Sequence, residues 1–169
     1  MIGSLTKVFA CAGLRLGFVL APDASLAARL AYRQPQWAVN GVAAAVLPAL
    51  LGEADLIAWR DGIARLRAQL ASVLVTHGLA PLPSDANYVL VPGAAGLREA
   101  LAPFGVVVRD CASFGLADHV RIAVPAERGI ERVEQALSAA VAAGCWPAVA
   151  GSGDHPPADP SSTRGGSAP

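Results

Sequence analysis

The sequence predicts an α/β chain, and three observations predict it. Segments 54–77 and 127–143 repeat apolar residues every three or four positions, as helices with one buried face do. Between them lie three short runs rich in β-branched residues, Asn87–Val91, Val106–Arg109 and Val120–Val124, each of strand length. Alanine, leucine and valine dominate while aromatics are only 5% of the chain, a balance that suits helices packed on a small sheet.

Taken in order, Leu16–Leu20 is an apolar run that follows a glycine-containing turn and closes at Ala21-Pro22, so it reads as a buried strand. Asp23 or Ser25 can cap a helix that runs to Arg33 and stops before Pro35. Trp37–Leu51 reads as an apolar helix interrupted at Pro48. The helix 54–77 carries the stripe Leu56, Trp59, Ile63, Leu66, Leu70 and Val73, with Gly78 placed as its C′ residue. A compact helix, Leu97–Phe104, ends at Gly105. The last helix carries Ile130, Val133, Leu137 and Val141 and closes at Gly144. Val89, Val107 and Ile122 are expected to face the two long helices, in a strand order that sequence does not fix. The final stretch, 147–169, is Gly, Pro, Ser and Asp with few apolar residues, and is expected to be disordered.

Charge and composition exclude several classes. The formal net charge is zero, which leaves no electrostatic footprint for nucleic acid or an anionic membrane. Residues 34–52 carry no charge, but Gln34, Pro35, Gln36, Asn40 and Pro48 interrupt the stretch, so it does not read as a membrane span. Cys11, Cys111 and Cys145 form no CxxC pair and no metal-ligand spacing with His77, His119 or His155. Buried reduced thiols and no metal are expected, and a cytoplasmic protein with them.

Lys7 is the only lysine, against twelve arginines, and it sits in Ser4-Leu-Thr6-Lys7-Val-Phe-Ala-Cys-Ala-Gly13-Leu14-Arg15-Leu-Gly17. Arginine stays protonated, whereas a lysine amine can lose its proton and attack a carbonyl. Taken alone, a lysine near a chain start is usually a solvated surface residue. The segment resembles the active-site lysine region of class I/II, fold-type-I aminotransferases, which depend on pyridoxal 5'-phosphate (PLP). There the pattern is Ser-x-Ser/Thr-Lys, a few variable residues, then Gly-Leu-Arg-x-Gly. The resemblance implies Lys7 as the catalytic residue that condenses with the cofactor aldehyde, and Ser4, Thr6 and Arg15 as ligands of its phosphate. It covers about residues 4–144 and implies the C-terminal half of such an enzyme. In that plan residues 1–50 are the end of the large cofactor domain with the interdomain helix, and 51–146 form a small α/β domain of a short sheet covered by helices.

A second constellation is Val106-Val-Val-Arg109-Asp110-Cys111-Ala-Ser-Phe114-Gly-Leu116, followed by His119-Val-Arg121-Ile-Ala-Val124. Two arginines near strand ends can converge on one anion if their strands are neighbours, and a guanidinium grips carboxylate or phosphate in bidentate fashion. They can also be two ordinary surface arginines. The resemblance implies that Arg121 holds the substrate α-carboxylate and Arg109 a substrate phosphate. It points to the cobalamin-pathway branch, the threonine-phosphate decarboxylase-like proteins, with the histidinol-phosphate aminotransferases beside it. Asn87 matches the Asn of an Asn-Phe pair in those branches and is a candidate substrate contact; the alternative is a strand-start Asn filling backbone bonds. Trp37 and Asn40 match a stretch that lines the site mouth in relatives, with Trp37 as core packing the other reading.

The resemblance further implies an amino-acid phosphate as substrate and a homodimer in the full-length form. The family's pyridine-nitrogen aspartate, ring-stacking aromatic and phosphate-binding turn precede the lysine, and only three residues precede Ser4. The expectation is therefore an enzyme truncated and inactive alone, by an internal start, a gene-model error or a gene remnant. The alternative is a non-catalytic α/β fragment or interaction module. Residues 1–50 are expected to be poorly buried, with 16–20 a strand lacking its neighbours.

Overall fold

The computed structural model describes residues 1–147; the expected disordered tail lies, from residue 148 onward, outside the described residues. The chain divides into two units, 1–56 and 57 onward.

In the first unit, β1 (Ile2–Ser4) pairs antiparallel with β2 (Gly17–Val19), Ser4 facing Gly17. Between them come α1 (Leu5–Val8) and a 3-10 turn, Ala12–Leu14. Gly17 is required here, because a Cβ on it would lie 2.8 Å from the Gly3 carbonyl oxygen. The apolar run at 16–20 thus has a partner strand, contrary to the expectation of none. β1 was not legible in advance, since three residues offer too short a pattern to show alternation.

Next come α2 (Ala24–Arg33), capped by Asp23, whose Oδ1 accepts the Leu26 N–H at 2.7 Å, and α3 (Gly41–Gly52). The latter begins four residues later than expected. Trp37 has φ +61, outside the helical region, and Asn40 is the N-cap, its Oδ1 accepting the Ala43 N–H at 2.8 Å. Trp37 is 92% exposed, which overturns its reading as core packing. Only Leu16 and Ala43 are buried apolar residues in this unit.

The second unit holds the core. α4 (Leu56–Thr76) ends in a Schellman motif, with Gly78 at φ +76, the Gly78 N–H donating to Val75 and the Leu79 N–H to Leu74. Leu74 and Leu79 are both buried, the apolar contact that accompanies this cap. Leu70 and Leu74 carry the helix's buried face, while Leu56 and Trp59 at its start are exposed. β3 (Tyr88–Val91), β4 (Arg109–Asp110) and β5 (Val120–Ala123) form an antiparallel sheet in the order β3-β5-β4. α5 (Leu97–Leu101) runs on as a 3-10 turn to Phe104, and α6 (Glu127–Ala142) follows β5.

One face of the sheet carries Val89, Val91, Val120 and Ile122, all buried with Leu70, Leu74, Leu97, Leu101, Val133 and Leu137. Val107 does not join them. It is 72% exposed, Val108 is buried instead, and the ladder begins only at Arg109. With side chains alternating at a period of two, reading the run one residue out of phase reverses which valine points inward. The three cysteines are free, as expected, but only Cys111 is buried; Cys145 is exposed.

Candidate active site

The first cluster is built by the β1–β2 pairing. The N–H groups of Leu5 and Thr6 both donate to the Leu16 carbonyl, at 3.0 and 3.2 Å, folding α1 back against the start of β2. Ser4 Oγ and Thr6 Oγ1 lie 2.9 Å apart, so the two hydroxyls present one polar edge. Lys7 follows on the same turn of helix, exposed, its amine without a hydrogen-bond or ion-pair partner among the described residues. Arg15 sits at φ +50, ψ +47, a left-handed conformation uncommon for a side-chain-bearing residue and concentrated at functional positions. One of its guanidinium nitrogens donates to the Ala12 carbonyl at 3.3 Å. Asn40 Nδ2 donates to the Leu14 carbonyl at 2.9 Å, tying this loop to the start of α3.

The second cluster lies on the solvent face of the three-stranded sheet. Arg109 and Arg121 are directly opposite in the β4–β5 register, and Leu90 of β3 faces Arg121 from the other side. Two like charges in that position repel, and neither arginine has a carboxylate partner among the described residues. An anion between or upon them removes that repulsion, and guanidinium forks suit carboxylate and phosphate oxygens. The Arg121 guanidinium instead lies over the Tyr88 ring, 5.0 Å from its centroid, and Arg109 over Phe114, at 5.4 Å. From sequence, Tyr88 stands only beside Asn87 in the pair that matches the family's Asn-Phe, and Phe114 only within a motif; the cross-strand alternation places Tyr88 diagonal to Arg121 once strand order is known.

Asn87 lies just before β3 and its carbonyl accepts the Val124 N–H at 2.9 Å. Its main chain thus fills a backbone bond at the strand start, and its side chain is exposed and makes no hydrogen bond among the described residues. Near the arginine pair, His119 Nδ1 is hydrogen-bonded to Asp118 Oδ1, and this bond holds the Asp118 carboxyl below its ordinary value. No group of His, Cys, Asp and Glu among the described residues could hold a metal ion. No single helix among them is long and apolar enough to cross a membrane.

Residues 1–139 match the family model for aminotransferase class I and II. The chain belongs to that family. Its members depend on PLP. A histidinol-phosphate aminotransferase of Symbiobacterium thermophilum is 35% identical over 145 residues, covering 83% of this chain and 40% of the relative. The structure of the histidinol-phosphate aminotransferase from Clostridium acetobutylicum matches with TM-score 0.73 and 26% identity, over 82% of this chain and 44% of that one. The L-threonine-O-3-phosphate decarboxylase of Porphyromonas gingivalis shares the fold, with TM-score 0.66 and 22% identity, over 82% of this chain and 45% of that one. The chain spans about 40% of the length of the curated relatives it matches.

The donor set of the first unit fits the family's cofactor. Two hydroxyls 2.9 Å apart and a guanidinium are suited to a phosphate, and an exposed amine to an aldehyde.

Proposed function

We propose that this chain supplies the cofactor lysine and the substrate-anion residues of a PLP-dependent enzyme acting on an amino-acid phosphate, either a transaminase or a threonine-phosphate decarboxylase-like enzyme of cobalamin biosynthesis. The observation that carries this reading is the register of Arg109 against Arg121, two cations held opposite each other without an acidic partner among the described residues. One anion between them would relieve their repulsion, and a substrate with a carboxylate and a phosphate would give each arginine a partner of its own. We assign the carboxylate to Arg121, the phosphate to Arg109, and a polar substrate contact to Asn87.

Lys7 would supply the amine for the cofactor aldehyde, and Ser4, Thr6 and Arg15 would hold its phosphate. When bound, the cofactor's ring withdraws electrons from the bonds to the substrate Cα. Lys7 then moves a proton at that carbon, and the arginine pair fixes which Cα bond is broken by fixing the ends of the substrate. The enzyme is proposed to be cytoplasmic and homodimeric in its full-length form, with residues 1–50 at the end of the cofactor domain and 51–146 as the small domain. Since the chain spans about 40% of its curated relatives, turnover is assigned to a protein carrying the remainder of that length.

The test is chemical. Mixing the chain with PLP and reducing with borohydride should attach the cofactor to residue 7, read by peptide mass spectrometry with the Met1 amine as internal control. Lys7→Arg should abolish trapping at that peptide and leave the melting temperature unchanged. Trapping confined to Met1, in this chain and in a version extended to the relatives' length, would sink the reading. A second reading, a non-catalytic α/β module, is favoured by one observation: Tyr32 and Trp37 stand almost fully exposed in the first unit, as side chains on a contact surface do.

A further inference from the structure

The two rings beneath the arginines belong to different elements, Tyr88 to β3 and Phe114 to the 3-10 turn Ala112–Phe114 that follows β4. We propose that Tyr88 and Phe114 are positioning residues that hold the two guanidiniums against separate shelves, and so make this face selective for ligands with two anionic groups over ligands with one. The inference rests on the substrate-anion reading above and deepens it.

Residues directly opposite in an antiparallel ladder place their Cβ atoms about 4.5–5.5 Å apart, so two unconstrained arginines could swing together onto a single phosphate. The rings oppose that. A guanidinium over an aromatic face gains the attraction of its quadrupole, loses rotamer freedom, and keeps its N–H edge free for an anion in the plane of the fork. Arg121 is braced from the β3 side of the central strand and Arg109 from the turn beyond β4, so each fork is committed to its own shelf. Neither ring is a core residue: Tyr88 is 38% and Phe114 59% exposed. Their area against solvent is large for residues whose only role is packing, and the cations are what they cover.

The experiment uses the 169-residue chain with O-phospho-L-threonine, inorganic phosphate and L-threonine as probes, following the arginine Nε–Hε resonances by NMR. Wild type should bind O-phospho-L-threonine more tightly than either single-anion probe, with both the Arg109 and Arg121 signals moving. Tyr88→Leu and Phe114→Leu should each weaken O-phospho-L-threonine binding by about two- to fivefold, the range expected for losing an exposed cation–ring contact. They should also reduce its advantage over inorganic phosphate. Tyr88→Phe and Phe114→Tyr keep the rings and should bind as wild type. Independently of any substitution, the δ protons of both arginines should show ring-current shifts in the wild-type chain. Random-coil shifts there, or leucine variants that bind and discriminate as wild type does, overturn the shelf proposal and leave the substrate-anion reading standing. No response of either guanidinium to any probe in wild type overturns that reading itself.

Discussion

The two units of this chain solve the burial problem unequally. All seventeen residues of the buried apolar cluster lie in the second unit, whereas Leu16 and Ala43 are the only buried apolar residues of the first. Composition does not explain the contrast, because α3 is apolar on every side, Gly-Val-Ala-Ala-Ala-Val-Leu-Pro-Ala-Leu-Leu-Gly. A helix of that kind is ordinarily enclosed. Phe18, Val19, Leu20, Val42 and Leu51 are exposed instead. Lys7 is thus carried by the unit that buries little of its own apolar surface, and the arginine pair by the unit that stands on a core. Aminotransferase relatives are more than twice as long as the region matched here.

The comparison can be broken most sharply by truncating one residue in each unit. Leu137→Ala removes a fully buried side chain and should cost about 2–5 kcal/mol in denaturant unfolding, since transfer and cavity terms add. Val42→Ala, at an exposed position of α3, should fall within about 0.5 kcal/mol. Equal losses would mean that the first unit has a core of its own. Gly17→Ala comes next: the added Cβ meets the Gly3 carbonyl oxygen at 2.8 Å, so the β1–β2 pairing must part. Cofactor trapping at Lys7 should then fall at least tenfold while the binding of O-phospho-L-threonine at the arginine pair stays unchanged.

Hydrogen exchange gives a finer reading. Amides of Val89 and Ile122, in a sheet backed by the core, should exchange near the global unfolding rate, and those of Phe18 and Val19 orders of magnitude faster. Protection of 17–19 equal to that of β5 would remove the contrast. The smallest effect is electrostatic. The hydrogen bond from Arg65 holds the Glu127 carboxyl below its ordinary value of 4.5. A carboxyl lowered on folding contributes stability above the ordinary value and loses it as pH falls through the lowered one. Both partners are more than half exposed, so Glu127→Gln should change the melting temperature only slightly above pH 5, with the difference vanishing in acid.

What could be read from sequence follows the same division. α4 and α6 were legible because a core imposes a periodic stripe, and their Gly78 and Gly144 ends because both glycines stand at positive φ. The Lys7 cluster was legible as a pattern of identities, with Ser4, Thr6, Gly13, Arg15 and Gly17 in register. Its geometry was not, since the β1–β2 ladder that brings Ser4 beside Gly17 involves only three residues per strand. The phase of Val106-Val-Val was unreadable because a run of identical residues has no alternation to read. Arg109 and Arg121 could be named but not paired, because their neighbourhood depends on β5 lying between β3 and β4, a fact of topology. Tyr88 and Phe114 depended on that pairing in turn.

The order β3-β5-β4 has a consequence for how recognition can change over generations. Arg121 stands on the middle strand, hydrogen-bonded on both sides, with Val120 and Ile122 as its buried neighbours. Arg109 stands on a two-residue edge strand that opens into a turn. A lineage can reshape the turn beside residue 109 with little cost to the sheet, whereas a backbone change at 121 disturbs the pairing to both neighbouring strands. The geometry thereby sets a fixed central position beside an adjustable edge position on one face of the sheet.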